Sequence, residues 1–164
     1  MALTILHSPE EWKTRFGATG RTALSVGNFD GLHLGHQKVL KALVERAQAS
    51  SQRAAVITFD PHPLRLLQPG RAPQMIQTLA QRLSGFEQMG LDAALILRFD
   101  RTLSMISPED FIQRILIDCL RVGTMLVGAN FRFGHVGAGD VHLLAEFGKR
   151  SGFAVEIVPP VEIQ

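Results

Sequence analysis

The stretch from Thr22 to Ala49 constrains this chain more than any other. Thr22–Asn28 is an apolar approach carrying Ala23, Leu24 and Val26, and it predicts a buried strand. The approach breaks at Gly27-Asn28-Phe29-Asp30-Gly31. From about Leu34 to Ala49, Val39, Leu40, Leu43, Val44 and Ala47 then recur at helical spacing. A strand, a glycine-bounded turn and a helix start together present backbone N–H groups and the positive end of a helix dipole to an anion. Gly27 and Gly31 take backbone angles closed to other residues and let a ligand approach the main chain. His33 and His36, with Gly35 between them, lie three apart, so both imidazoles can face one anion. The combination points to a stretch that holds a nucleoside triphosphate during chemistry on it.

Each piece alone has a plainer reading. Gly-Asn-x-Asp-Gly is commonly a turn, and Asp30 serves a turn as well as it serves a metal-bound phosphate. A His-x-x-His pair also begins some zinc sites. Zinc needs three or four suitably spaced ligands, however, and the single cysteine, Cys119, lies far along the chain. No metal ligand is therefore assigned.

Composition narrows the remaining classes. With 164 residues, 46% of them hydrophobic, the chain fits one globular domain. A net charge of +2 is too small to argue for nucleic acid. No apolar run approaches the roughly 20 residues that span a bilayer, and Met1–His7 lacks a secretory pattern. One cysteine excludes an internal disulfide and fits a reducing compartment, so a soluble cytoplasmic protein is expected. Oligomeric state is not legible.

Taken in order, Ser8-Pro9-Glu10-Glu11 opens a short helix that Trp12 and Phe16 anchor to the body. Ala54–Phe59 is the second strand, leading into Asp60-Pro61-His62-Pro63, where two prolines stiffen the exit around a histidine. Leu64 to Pro73 reads as a surface excursion. Leu79, Leu83 and Phe86 mark a helix that Gly90 stops, and Ala93–Phe99 is the third strand. Ser107-Pro108-Glu109-Asp110 caps another helix running to about Leu120. Its stripe of Phe111, Ile115 and Cys119 makes that cysteine a core residue. Thr124–Val127 is the fourth strand, followed by Gly128-Ala129-Asn130-Phe131-Arg132-Phe133-Gly134. There Arg132 either binds a phosphorylated ligand or serves the loop. Asp140 caps a helix over Val141–Arg150, Phe153–Val158 is the fifth strand, and His135 and His142 read as surface residues. This alternation predicts an α/β fold: a Rossmann-like parallel sheet of about five strands with helices on both faces.

Gly-Asn-Phe-Asp-Gly-Leu-His-Leu-Gly-His resembles the His-x-Gly-His signature of the nucleotidylyltransferase superfamily. More narrowly, it resembles the FAD synthetase module of the bacterial bifunctional riboflavin kinase/FAD synthetases. Thr58–Pro63 and Val127–Gly134, with Gly139-Asp140 behind, are similar to the same family in the same order. The resemblance implies an FMN adenylyltransferase that joins FMN to the AMP of ATP and releases pyrophosphate, with Mg2+ bridging the phosphates. Carried over, Gly27, Asn28, Phe29, Asp30, Gly31 and Gly35 line the nucleotide loop, and His33 and His36 steady the ATP phosphates. Asp60, His62, Asn130 and Arg132 fall in the nucleotide or flavin site. The family helix often has lysine where Arg82 stands.

The family's Ser-Ser-Thr-Arg-type signature would follow the segment that resembles Val155–Gln164, and this sequence ends before it. The expectation is a nucleotidylyltransferase domain over residues 1–164, belonging to a longer natural protein that also carries a riboflavin kinase domain. Two alternatives stand beside it. One is a nucleotidylyltransferase for another phosphorylated acceptor, and the other is a truncated module that binds nucleotide or flavin without turnover.

Overall fold

A computed structural model describes residues 2–29, 31, 33–60, 70 and 77–159, and among them six strands form one sheet. These are β1 (Thr4–Leu6), β2 (Thr22–Val26), β3 (Arg53–Asp60), β4 (Ala93–Arg98), β5 (Val122–Gly128) and β6 (Ala154–Val158). Their order across the sheet is β1-β4-β3-β2-β5-β6, and every neighbouring pair is parallel. The chain leaves β2 towards β3 and β4 on one side, then returns to lay β5 on the other. The order therefore reverses between β2 and β5, which opens a crevice beyond their carboxyl ends.

The two-residue strand period decides which side chain faces which helix layer. Ala23 of β2 and Ala54 and Val56 of β3 join one core; Leu24, Val26, Ala55 and Ile57 join the other. Helices α2 (Leu34–Ser50) and α3 (Leu79–Gln88) cover the first face through Leu40, Leu43, Ala47 and Phe86. Leu40 and Leu43 are fully buried, and each contributes about 1.5–3 kcal/mol. The second face is covered by α1 (Pro9–Phe16), α4 (Arg101–Ser104), α5 (Pro108–Asp110) with its continuation, and α6 (Val141–Ser151). Burial on both faces is why the strands read as unbroken apolar runs rather than as alternation. The fold is the expected Rossmann-like α/β sandwich.

Local signals act where expected. Ser8 caps α1 by accepting from Glu11 N–H, and Asp140 caps α6 by accepting from Leu143 N–H. Thr78 and Gln81 close a reciprocal capping box on α3. Trp12 is buried, with its ring edge-on to Phe16 at 4.7 Å.

Three features differ from the sequence expectation. β1 is a sixth strand, paired along the edge of β4, and three residues are too few to show a period. The helix after Ser107 winds as α only over Pro108–Asp110 and then as π-helix over Phe111–Cys119. Ile112 and Leu116 are buried beside Phe111, Ile115 and Cys119, so the expected core stripe survives the wider winding. His135 is half-buried rather than simply on the surface, with its Nδ1 donating to the Ser104 carbonyl at 3.0 Å. Among the described residues, no helix is long and apolar enough to cross a membrane.

Candidate active site

The site grows out of the end of β2. Gly27 N–H still donates to Ile57 O at 3.0 Å, as a strand residue would, and the chain then turns. Gly27 is not in the left-handed region, and a Cβ there would make ordinary contact with the Phe29 ring at 3.4 Å, so the backbone angle expected of both glycines is found at Gly31 and not at Gly27. Phe29 is in the left-handed region at φ 54°, a conformation costing about 1–2 kcal/mol for a side chain of its kind. Its ring is buried, edge-on to Phe86 at 5.6 Å and to His36 at 5.4 Å.

His33 is the N-cap of α2. Its Nδ1 accepts from Gly35 N–H at 3.1 Å and from His36 N–H at 3.4 Å. With Nδ1 accepting, the ring proton sits on Nε2, which becomes the donor His33 offers to a ligand. The rings of His33 and His36 stack with centroids 3.6 Å apart and planes 25° from parallel. A Cβ on Gly35 would lie 3.0–3.2 Å from the His33 ring, so a glycine between the histidines makes room for this cap.

Two cavities meet at this turn, sharing Val26, Gly27 and Asn28. The smaller, about 250 Å³, runs from Gly35, His36 and Val39 across to Val127, Gly128 and Val158. The larger, about 460 Å³, is walled by Phe59, Phe99, Phe111, Phe131 and Phe133, with Asn130 and Arg132 among its polar residues. Phe131 and Phe133 stack at 5.4 Å, 18° from parallel, and Phe59 meets Phe99 edge-on at 5.9 Å. Such a chamber suits a flat aromatic ligand. Asn28 lies between the two cavities, its Oδ1 buried and without a hydrogen-bond partner among the described residues. A third cleft, about 550 Å³ and lined by Lys13, Arg21 and Arg121, opens at the amino ends of β2 and β5, away from the crevice.

Comparison with known proteins settles the family. The sequence profile of FAD synthetase matches residues 17–164. The chain belongs to the FAD synthetase family. It is 36% identical over 132 residues to the bifunctional riboflavin kinase/FMN adenylyltransferase of Escherichia coli strain K12, covering 80% of this chain and 42% of that protein. It is 37% identical over 139 residues to the protein of that name from Pseudomonas fluorescens, covering 85% and 44%. The chain thus spans less than half the length of these curated relatives. Among solved structures, a Streptococcus pneumoniae protein described as a macrolide-efflux protein superposes with TM-score 0.79 at 22% identity, over all of this chain and 53% of that one. A pantoate-beta-alanine ligase from Francisella tularensis superposes with TM-score 0.63 at 14% identity, over 99% and 69%. Both likenesses concern the fold.

Within this FAD synthetase family chain, the sequence-predicted residues sort unevenly. His33 and His36 come together, and Gly27, Asn28 and Gly35 lie with them. Gly31 is left-handed at φ 77°, its N–H donating to Gln77 Oε1 at 3.1 Å. Phe29 lines the smaller cavity and also packs its ring into the core behind His36, a second role the sequence did not show. The expected free N–H groups of Gly35 and His36 are already bound by His33, so on those two donors the cap replaces a bare amide cradle. Asn130 and Arg132 reach the aromatic cavity; the Arg132 guanidinium is exposed, 3.8 Å from Asp140. Asp140 is held below the usual carboxylate range, first by the Leu143 N–H. Asp60 lines neither cavity: Phe59 turns into the aromatic one, and the next side chain along a strand faces away and is exposed. Asp30, His62 and the excursion of 64–73, apart from Gly70, lie outside the described residues.

The sequence reading missed Phe59, Phe99 and Phe111 as cavity walls, and the tertiary role of Arg82. Arg82 is 1% exposed. Its Nη1 donates to Asn28 O at 2.8 Å and to Thr58 Oγ1 at 2.9 Å. The available signal was a positive charge four residues before Phe86 on an amphipathic helix whose Gln81, Glu87 and Gln88 are exposed. Among the described residues, no group of three or more His, Cys, Asp or Glu could hold a metal ion.

Proposed function

We propose that this chain is an FMN adenylyltransferase module, joining the phosphate of FMN to the AMP of ATP and releasing pyrophosphate. The observation that carries the reading is the pair of cavities meeting at Asn28, one walled by phenylalanines and the other beside the stacked imidazoles. The isoalloxazine ring lies between the aromatic walls and ATP occupies the smaller cavity. The FMN phosphate and the α-phosphate of ATP then meet over Gly27 and Asn28.

An FMN phosphate oxygen attacks the α-phosphorus as the bond to the β-phosphate oxygen breaks, and both electrons of that bond leave with pyrophosphate. The attacking phosphate is already anionic near neutral pH, so no side chain has to remove a proton. Catalysis is then a matter of bringing two anions into line and absorbing charge on the leaving side. Nε2–H of His33, the stacked His36 and the amino end of α2 supply that charge. Arg132, at the flavin side, takes the FMN phosphate. Mg2+ bound with ATP as part of the substrate would supply neutralising charge on the phosphates.

The test is incubation with MgATP and FMN, following FAD by chromatography and pyrophosphate by a coupled assay. FAD and pyrophosphate appearing one for one is the expected result. Pyrophosphate release with a different phosphorylated acceptor but not with FMN contradicts the flavin assignment. ATP binding by calorimetry with no pyrophosphate from any acceptor contradicts the transferase reading.

A further inference from the structure

We propose that Arg82 is a positioning residue for this reaction, a buried cation that locks the Asn28–Phe29 peptide and with it the wall shared by the two ligand cavities. The proposal rests on the adenylyltransferase reading for its kinetic consequence, and on the structure for the rest.

A guanidinium buried in an apolar layer is costly unless its donors are satisfied. Arg82 stands on α3 among Phe86 and the α2 side of the core, and it spends Nη1 on a single neighbourhood, Asn28 O and Thr58 Oγ1. Thr58 Oγ1 in turn donates to the same Asn28 carbonyl at 3.3 Å. One carbonyl oxygen thus receives two donors, from a helix and from a strand, which tie α3, β3 and the turn after β2 together.

That carbonyl belongs to the peptide leading into Phe29, whose left-handed backbone needs surrounding structure to hold it. Two consequences run in opposite directions along the chain. On one side, Asn28 keeps its Oδ1, unpartnered among the described residues, at the junction of the cavities, an acceptor for a hydroxyl or N–H of a bound ligand. On the other, the Phe29 ring stays against His36, which stacks on His33. Arg82 lines neither cavity; it acts through the peptide it holds.

The experiment compares Arg82→Met and Arg82→Lys with the parent chain by steady-state kinetics, thermal melting and the ¹⁵N–¹H signal of the Phe29 amide. Arg82→Met lowers kcat about 10²-fold, the scale of misplacing a reacting group by an ångström, and shifts the Phe29 signal. The KM for FMN changes much less than kcat, because the aromatic walls come from other elements. Arg82→Lys keeps a cationic donor and recovers most of the rate. A purely structural arginine would lower the melting temperature in both variants and leave the kcat of the folded protein unchanged, which overturns the proposal. If Arg82→Met does not fold, Thr58→Val decides. It removes one donor to the Asn28 carbonyl together with the hydroxyl that accepts from Arg82 Nη1, and is expected to lower kcat about tenfold, the scale of a hydrogen bond; parental kcat overturns the proposal. If the parent chain makes no FAD, the adenylyltransferase reading fails by itself. The Phe29 signal then judges the positioning claim, supported by a shift in Arg82→Met and overturned by none.

Discussion

The two cavities that share Asn28 are built in opposite ways. The smaller takes its turn, its imidazole and its helix start from one βα unit, with only the far wall coming from β5 and β6. The larger is assembled from the ends of β2 and β3, the residues after β4, the start of the π-helical stretch and the loop after β5. One presents imidazoles and a helix dipole held by directional hydrogen bonds. The other presents rings, which bind by area and stacking and tolerate small shifts. A reaction that joins a polyphosphate to a flat aromatic phosphate needs both kinds of wall, and the difference predicts that their mutations separate by ligand.

The largest expected effect breaks the polar side. His33→Ala removes both the Nε2 donor and the cap on Gly35 and His36. Adenylyl transfer should fall about 10²-fold or more at saturating ATP, the scale of losing a preorganised donor. Near-parental turnover would take His33 out of the catalytic set. On the aromatic side, Phe131→Ala removes the partner stacked on Phe133. FMN should bind about tenfold more weakly, in line with aromatic stacking on a base, while ATP binding is unchanged. Equal loss of both ligands in titrations would contradict two separate chambers.

Gly35→Ala sharpens the comparison more gently. Its Cβ would press on the His33 ring at 3.0–3.2 Å, and that exposed ring can yield by a few tenths of an ångström. A several-fold loss in kcat, about 1 kcal/mol of strain at the cap, is expected with little change in melting temperature. Cys119 provides the smallest effect, because it lies in neither cavity. Burial pushes its thiol up to about 11, and Sγ donates to Pro9 O at 3.3 Å. Between the usual thiol range and that value, the unfolded chain gives up a proton that the folded chain keeps, so stability falls as pH rises through the window. Alkylation at pH 8 should be slow until the chain is denatured; rapid labelling of the native protein would contradict the burial.

The same contrast explains what could be read from the sequence. His33, Gly35 and His36 sit in one continuous stretch, so spacing alone brought them together. The parallel sheet was legible because strands buried on both faces are apolar throughout. Phe59, Phe99 and Phe111 belong to separate elements and meet only through topology, and each alone reads as core. Asp60 misled for a related reason. It adjoins Phe59 in sequence, yet the strand period sends the two side chains to opposite faces. The charge of Arg82 was visible, but its direction was not: helical spacing does not tell a wet-face arginine from one whose head reaches across the core to a carbonyl.

The account depends most on two ligands meeting at one wall, and a paired titration tests that directly. FMN and ATP are each titrated against the parent chain, Phe131→Ala and His33→Ala, and FAD formation is then followed in the same samples. The account predicts that Phe131→Ala weakens only FMN, that His33→Ala spares FMN binding, and that each variant still makes less FAD. Loss of both ligands in either variant, or FAD formation unchanged in both, would contradict it.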